Sequence, residues 1–193
     1  MLEVIYKLIY KDKNIMLEVK INDDIFFLKQ EPSEFTIGEY EDVVSILKNE
    51  EYDQFDRYYN LFSSLGIPTE LLDEFDVFNF KDLITEYNSK FVDSEMVNEI
   101  TIDGRTFKSY DTEFKLSVKQ MKTAIEFIKV NDIRCMAEIL SIIFHETNKT
   151  REENWLKSNI IERTDLFRNK MTADIANPYF MFLIKKVFIN GNT

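Results

Sequence analysis

Apolar residues near the start of the chain fall at every second position. Leu2, Val4, Tyr6, Leu8 and Tyr10 alternate with Glu3, Lys7 and others, which predicts a strand. Lys11-Asp12-Lys13-Asn14 reads as a polar turn, Ile15 to Ile21 as a second strand, Asn22-Asp23-Asp24 as a second turn and Ile25 to Lys29 as a third strand. A small β-meander therefore opens the chain. The spacing then becomes helical. Thr36 and Glu39 form a capping box, in which each side chain can bond the other residue's backbone amide. Behind it Ile37, Tyr40, Val43, Val44 and Leu47 share one helix face. A second helix is predicted from about Glu51 to Leu65, with Tyr52, Phe55, Tyr58, Tyr59 and Phe62 on one side and Gly66 placed to end it. Pro68-Thr69 opens a helical turn through Leu71 and Leu72. Phe80, Leu83, Ile84, Tyr87 and Phe91 mark a further helix.

From about Met96 the pattern restarts. Ile100 to Ile102, the turn signal Asp103-Gly104 and Thr106-Phe107 predict a β-hairpin. Ser117 and Gln120 make another capping box, followed by Val118, Met121, Ala124, Ile125 and Ile128 at helical spacing. A helix is predicted from about Asp132 to His145. Another opens at the capping box Thr150/Glu153 and continues through Trp155, Leu156, Ile160 and Ile161. A last apolar helix runs from about Thr172 to Phe188, where Pro178 predicts a kink or a later start.

The restart reads as an internal duplication. With an 81-residue shift, Asn22-Asp23 meets Asp103-Gly104, Phe26 meets Phe107, the box Thr36/Glu39 meets Ser117/Gln120, and both helical stripes stay in register. The expected fold is α+β, mainly helical. It consists of two similar units, 1–95 and 96–193, each a β-hairpin followed by antiparallel helices.

Composition narrows the function. The 193 residues carry a net charge of −11, which argues against direct nucleic-acid binding, because phosphate backbones are repelled. Four glycines and no GxGxxG or GxxxxGK[ST] motif leave little with which to cradle a phosphate, so no cofactor is expected. No apolar run approaches a membrane span, and MLEVIYKLIYKDKN lacks a signal-peptide core, so neither a membrane nor a secretory route is expected. Cys135 is the only cysteine, which fits a reducing cytosol. Asn148-Lys149-Thr150 is a glycosylation sequon by pattern only.

Catalytic chemistry finds little footing. His145 is the only histidine, and Lys149 stands where a zincin needs its second one. The expected role of His145 is at a helix C-terminus, where the dipole favours it. Cys135 has no nucleophile-activating partner nearby in sequence. The clusters Glu50/Glu51/Asp53/Asp56 and Asp73/Glu74/Asp76 read as solvated acidic faces. No catalytic, cofactor-binding or metal-binding residue is assigned, and no enzyme is expected. The aromatic load is the less ordinary feature. An exposed apolar patch usually marks a partner site. The expected partner-binding residues are Leu71, Leu72, Phe75 and Phe78, which mix anchors with charges, and then Tyr179, Phe180 and Phe182.

The segments VKINDDIFFL, EFTIGEYEDVVSIL and LLDEFDVFNFKDLITEY resemble bacteriophage tail or baseplate-hub assembly chaperones. EITIDGRTFKSYDTEFKLSVKQMKTAIEF is similar in the same way. The resemblance covers about residues 15–145 as a pattern, without an invariant motif. It implies a small acidic protein that begins with a β-hairpin and continues as helices. Such a protein binds tail, baseplate or connector subunits without catalysis, in the host cytoplasm or as part of the virion. Lys/Asn/Ile-rich, low-Gly usage fits an AT-rich phage or bacterial genome. The expected partners are phage structural subunits, with a homo-oligomer left open. The alternative expectation is an acidic inhibitor of a host defence nucleoprotein, mimicking nucleic acid.

Overall fold

The computed structural model describes residues 4–11, 14–88, 95–109, 122–123, 126 and 135–184; for residues 4–11, 14–15 and 182–184 only the backbone is described. The fold is α+β, with two small sheets and a larger helical part among the described residues. Contacts divide the chain into two compact units: residues 1–35 with 42–92, and residues 36–41 with 93–193.

The first unit opens with an antiparallel meander of β1 (Val4–Lys11), β2 (Asn14–Ile21) and β3 (Asp24–Leu28) in the order β1-β2-β3. Leu17, Val19 and Ile21 are fully buried, while Glu18 and Lys20 between them are partly exposed. The alternation of apolar and charged residues along β2 thus has its cause in one covered face. Val19 stands opposite Phe26 and Leu17 opposite Leu28. A 3-10 turn at Pro32–Glu34 leads to α1 (Ile37–Leu47), where Glu39 accepts from the Thr36 amide at 2.9 Å and Thr36 Oγ1 accepts from the Glu39 amide at 3.3 Å. The expected capping box is formed.

Next come α2 (Gln54–Ser64), α3 (Thr69–Leu72) and α4 (Val77–Tyr87). Asp53 caps α2 by accepting from the Asp56 amide, and Asp76 caps α4 by accepting from the Phe78 and Asn79 amides, both at 2.8 Å. At the end of α2, Gly66 has φ of 104°, its amide donates to Ser63, and the Ile67 amide donates to Phe62. This is a Schellman termination, and Phe62 and Ile67 are buried together with it. Gln30 donates from Nε2 to the Glu86 and Tyr87 carbonyls, tying the chain after β3 to the last turn of α4.

In the second unit β4 (Glu99–Ile102) and β5 (Arg105–Ser109) form the expected hairpin, with Asp103 and Gly104 both at positive φ. The capping box at Ser117/Gln120 and most of the helix expected behind it lie outside the described residues. Then follow α5 (Met136–Ile143), β6 (Phe144–Glu146), α6 (Arg151–Asn154), α7 (Lys157–Lys170) and α8 (Ala173–Ile184). β6 pairs with β5, so this sheet has the order β4-β5-β6. α5 is buried nearly all round, as an internal helix should be. The core gathers Ile37, Phe107, Ile139, Leu140, Phe144, Phe167 and Tyr179. Ile37 donates its amide to the Met171 carbonyl at 2.9 Å, which holds the start of α1 in this unit.

Two expectations about elements are corrected here. His145 does not end a helix. The helix stops at Ile143, and His145 lies in β6 opposite Lys108. Long-range pairing with β5, reinforced by Arg105 on Glu146, prevails over local helical spacing. The helix begun at Thr150 is also broken. The Thr150/Glu153 box forms, but α6 ends after one turn and Leu156 is extended. Asn154 lies at the break. Its buried side chain donates to the carbonyls of Glu146, Lys149 and Thr150 and accepts from the Glu146 amide and from Arg163. Of the stripe expected on that helix, Leu156 and Ile161 are exposed. The last helix starts at Ala173 and carries Pro178 inside it.

Candidate functional site

The first unit contains a groove between α2, α3 and the start of α4. It encloses about 190 Å³ and is lined by Phe55, Tyr59, Leu72, Phe75, Val77 and Phe80, with Asp56 and Asp76. The local sequence explains its form. The Schellman end of α2 and Pro68 reverse the chain, α3 lasts one turn, and Asp76 starts a new helix at once. Short helices packed at their ends leave a depression that one long helix would have filled. Phe55 stacks on Phe80 with centroids at 5.9 Å, Phe75 meets Phe80 edge-on at 6.2 Å, and Phe62 meets Phe80 edge-on at 5.8 Å. Phe80 is thus the buried floor of an aromatic cluster.

Part of this cluster stays in solvent. Phe55 is 40% exposed, Val77 57% and Phe78 78%. Single exposed apolar residues are ordinary, as Phe78 is outside the groove lining, but Phe55 and Val77 meet at one depression. Tyr59 donates to Asp73 Oδ1 at 2.7 Å, a bond that pushes its pKa up and fixes the groove wall. Residues 50–88 hold ten carboxylates against only Arg57 and Lys81, a net of −8 that leaves −3 for the remainder of the chain. Both cations are engaged locally. Arg57 donates to the Asn49 carbonyl at 2.9 Å, and Lys81 Nζ stands 5.9 Å from the centre of the Phe55 ring.

The residues expected to bind a partner separate clearly. Leu72 and Phe75 line the groove, Leu71 is half-buried on the same turn, and Phe78 projects from the first turn of α4. Tyr179 and Phe180 are corrected: they are 1% and 4% exposed and belong to the core of the second unit, so they present no surface. Tyr179 packs edge-on against Phe144 and donates its hydroxyl to the Val97 carbonyl. The side chain of Phe182 lies outside the described residues. Phe55 and Val77 were not among the expected site residues. Phe55 falls on the apolar stripe of α2, and only its place near the acidic helix start hinted at exposure.

The carboxylates with displaced pKa values are not among the groove-lining residues. Burial pushes Glu41 up to about 7 against the pull of Arg168 at 2.9 Å, and the like charge of Glu138 adds to the rise. Arg105, bound through two nitrogens, and then Lys149 hold Glu146 down at about 2. Burial also raises Glu34 and lowers His145. Among the described residues no group of His, Cys, Asp and Glu side chains is placed to hold a metal ion, and no helix is long and apolar enough to cross a membrane. Comparison with protein-family profiles, curated proteins and solved structures gives no match.

Proposed function

We propose that this chain is a non-enzymatic protein-binding protein of the phage virion-morphogenesis kind. It would engage tail, baseplate or connector subunits in the host cytoplasm, or remain with them in the virion. The observation that carries this reading is the groove: solvent-facing Phe55 and Val77 within a stretch, residues 50–88, of net charge −8. Apolar anchors ringed by charge give affinity at the centre and register at the rim. The sequence resemblance to tail and baseplate-hub chaperones supplies the class of partner.

The same net of −8 favours a second reading, an acidic inhibitor of a host nucleoprotein. That reading needs carboxylates spaced like phosphates and has no use for exposed phenylalanines. Quantitative mass spectrometry of purified particles beside the infected-cell lysate separates the outcomes. A fixed copy number in the particle makes the chain a connector. Absence from the particle, with a structural subunit co-purifying from the lysate, makes it a chaperone. Recovery with a nucleic-acid-binding host protein instead selects the second reading.

The division into similar units is part of the same proposal. β3 and β5 are offset by 81 residues, α3 and α6 start at Thr69 and Arg151, and α4 and α7 start at Val77 and Lys157. This element spacing supports a duplication. The sheets differ, because the third strand is added beside β2 in one and beside β5 in the other.

A further inference from the structure

We propose that the groove of the first unit docks a basic amphipathic segment of a protein partner. Its large apolar side chains would sit beside Phe55 and Val77, and its Lys and Arg side chains would meet the acidic rim. The proposal rests on the protein-binding reading above and adds the chemistry of the partner.

Three observations converge. The first is size. At about 190 Å³ the groove is smaller than the roughly 300–1,000 Å³ of small-molecule pockets. With Phe55 and Val77 40% and 57% exposed it is also open. It suits side chains of a segment lying across it rather than an enclosed cofactor. The second is lining. Phe55, Phe75 and Phe80 offer aromatic faces to an apolar anchor. The third is charge. Asp56 and Asp76 line the groove, the surrounding segment carries −8, and its two cations already have local contacts. An acidic peptide or a nucleic-acid strand would meet like charge. A second copy of this chain, docking through the same face, would set two such segments against each other. A cationic segment is attracted, and its approach is steered by the field.

The test uses the full chain and a fluorescent synthetic peptide that forms an amphipathic helix, with Leu and Phe on one face and Lys and Arg on the other. Two further peptides serve as controls, one with Ser in place of Leu and Phe, one with Glu in place of Lys and Arg. Anisotropy titration is expected to show binding of the first peptide only, weakening as salt rises. The variant Val77→Ser should weaken binding several-fold. Asp56→Asn/Asp76→Asn keeps a capping side chain at position 76 and should weaken binding several-fold while flattening the salt dependence. Equal binding of the Ser peptide would reduce the effect to bulk charge and overturn the proposal. So would full affinity in the Val77→Ser variant, binding of the Glu peptide, or no binding at all. Self-association that is lost in the variant, seen by sedimentation, would make a second copy the occupant and also overturn it. Should a variant unfold, chemical-shift mapping of the unaltered chain replaces it: shifts confined to residues 53–81 are expected, and shifts elsewhere refute the site. Failure here with a particle subunit still bound leaves the general function standing on another surface. Peptide binding without any subunit partner does the reverse.

Discussion

The second unit turns its aromatic rings on one another, and the first leaves some of its rings in water. Phe107, Phe144, Phe167 and Tyr179 form an edge-to-face chain with centroids 5.0–6.1 Å apart, and each is at most 1% exposed. In the first unit Phe62, Phe75, Phe80 and Phe55 also make ring contacts, yet the series ends in solvent at Phe55, 40% exposed. The carboxylates differ in the same direction. The second unit commits Glu146 to Arg105 and Lys149, and Glu41 to Arg168. The first uses Asp53 and Asp76 as helix caps at the surface, where they hold the helices and keep their charge in water. The same kind of ring contact therefore serves a closed core in one region and an open rim in the other.

The largest expected effect tests the closed side. Phe107→Ala removes a fully buried ring that packs on Phe167 at 5.0 Å. It should lower stability by about 3–5 kcal/mol in urea denaturation, the range for such a cavity. A loss under about 1 kcal/mol would mean that this core is not closed.

The ion pairs of the second unit come next, and they act in opposite pH windows. Glu146 is held at about 2, below its ordinary 4.5, so the stability it contributes is present above pH 4.5 and is lost as pH falls through 2. Glu41 is raised to about 7, so its contribution is full below pH 4.5 and is lost as pH rises through 7. His145, lowered by burial, works against Glu41: its contribution is full above pH 6.5 and is lost as pH falls through its lowered value. Comparing Glu41→Gln with the unaltered chain isolates Glu41. The unaltered chain should lose on the order of 2 kcal/mol relative to the variant between pH 4.5 and 7.5. Parallel pH profiles would show that Glu41 titrates normally.

Gly66→Ala gives a smaller loss. At φ of 104° an L-side chain is strained, although nothing lies within 4 Å of a Cβ placed there. The cost is therefore backbone strain alone, about 1–2 kcal/mol by thermal or urea unfolding. The variant also loosens the turn between α2 and α3 that shapes the groove, so peptide binding should weaken along with stability.

Local rules made much of this legible in the sequence. The meander, both hairpins, the boxes at Thr36 and Thr150 and the stop at Gly66 each depend on a few neighbouring residues, and each forms as expected. Periodicity did less well where distant partners intervene. His145 carries a helical pattern, yet β5 is the stronger partner. Asn154 reads as an ordinary polar residue, yet it bonds the buried Arg163 where α6 ends. Exposure was the least legible property. Phe78 and Phe180 both sit in aromatic, helical contexts, and only packing makes one 78% exposed and the other 4%.

The smallest effect on stability carries the most information about the open side. Phe78→Ser removes a ring that is 78% exposed on the first turn of α4, where Asp76 already satisfies the Phe78 and Asn79 amides. With the cap intact and little apolar area withdrawn from contact, stability should stay within about 0.5 kcal/mol. Serine is a slightly weaker helix former, which is included in that margin. Measured by the same urea titration as Phe107→Ala, this result would place two phenylalanines of one chain at opposite ends of the range. An unchanged midpoint shows that the fold does not depend on this ring, in contrast to Phe107. A loss above about 1.5 kcal/mol would instead mean that the ring packs in solution, and the open rim would then have to be redrawn around Phe55 and Val77 alone.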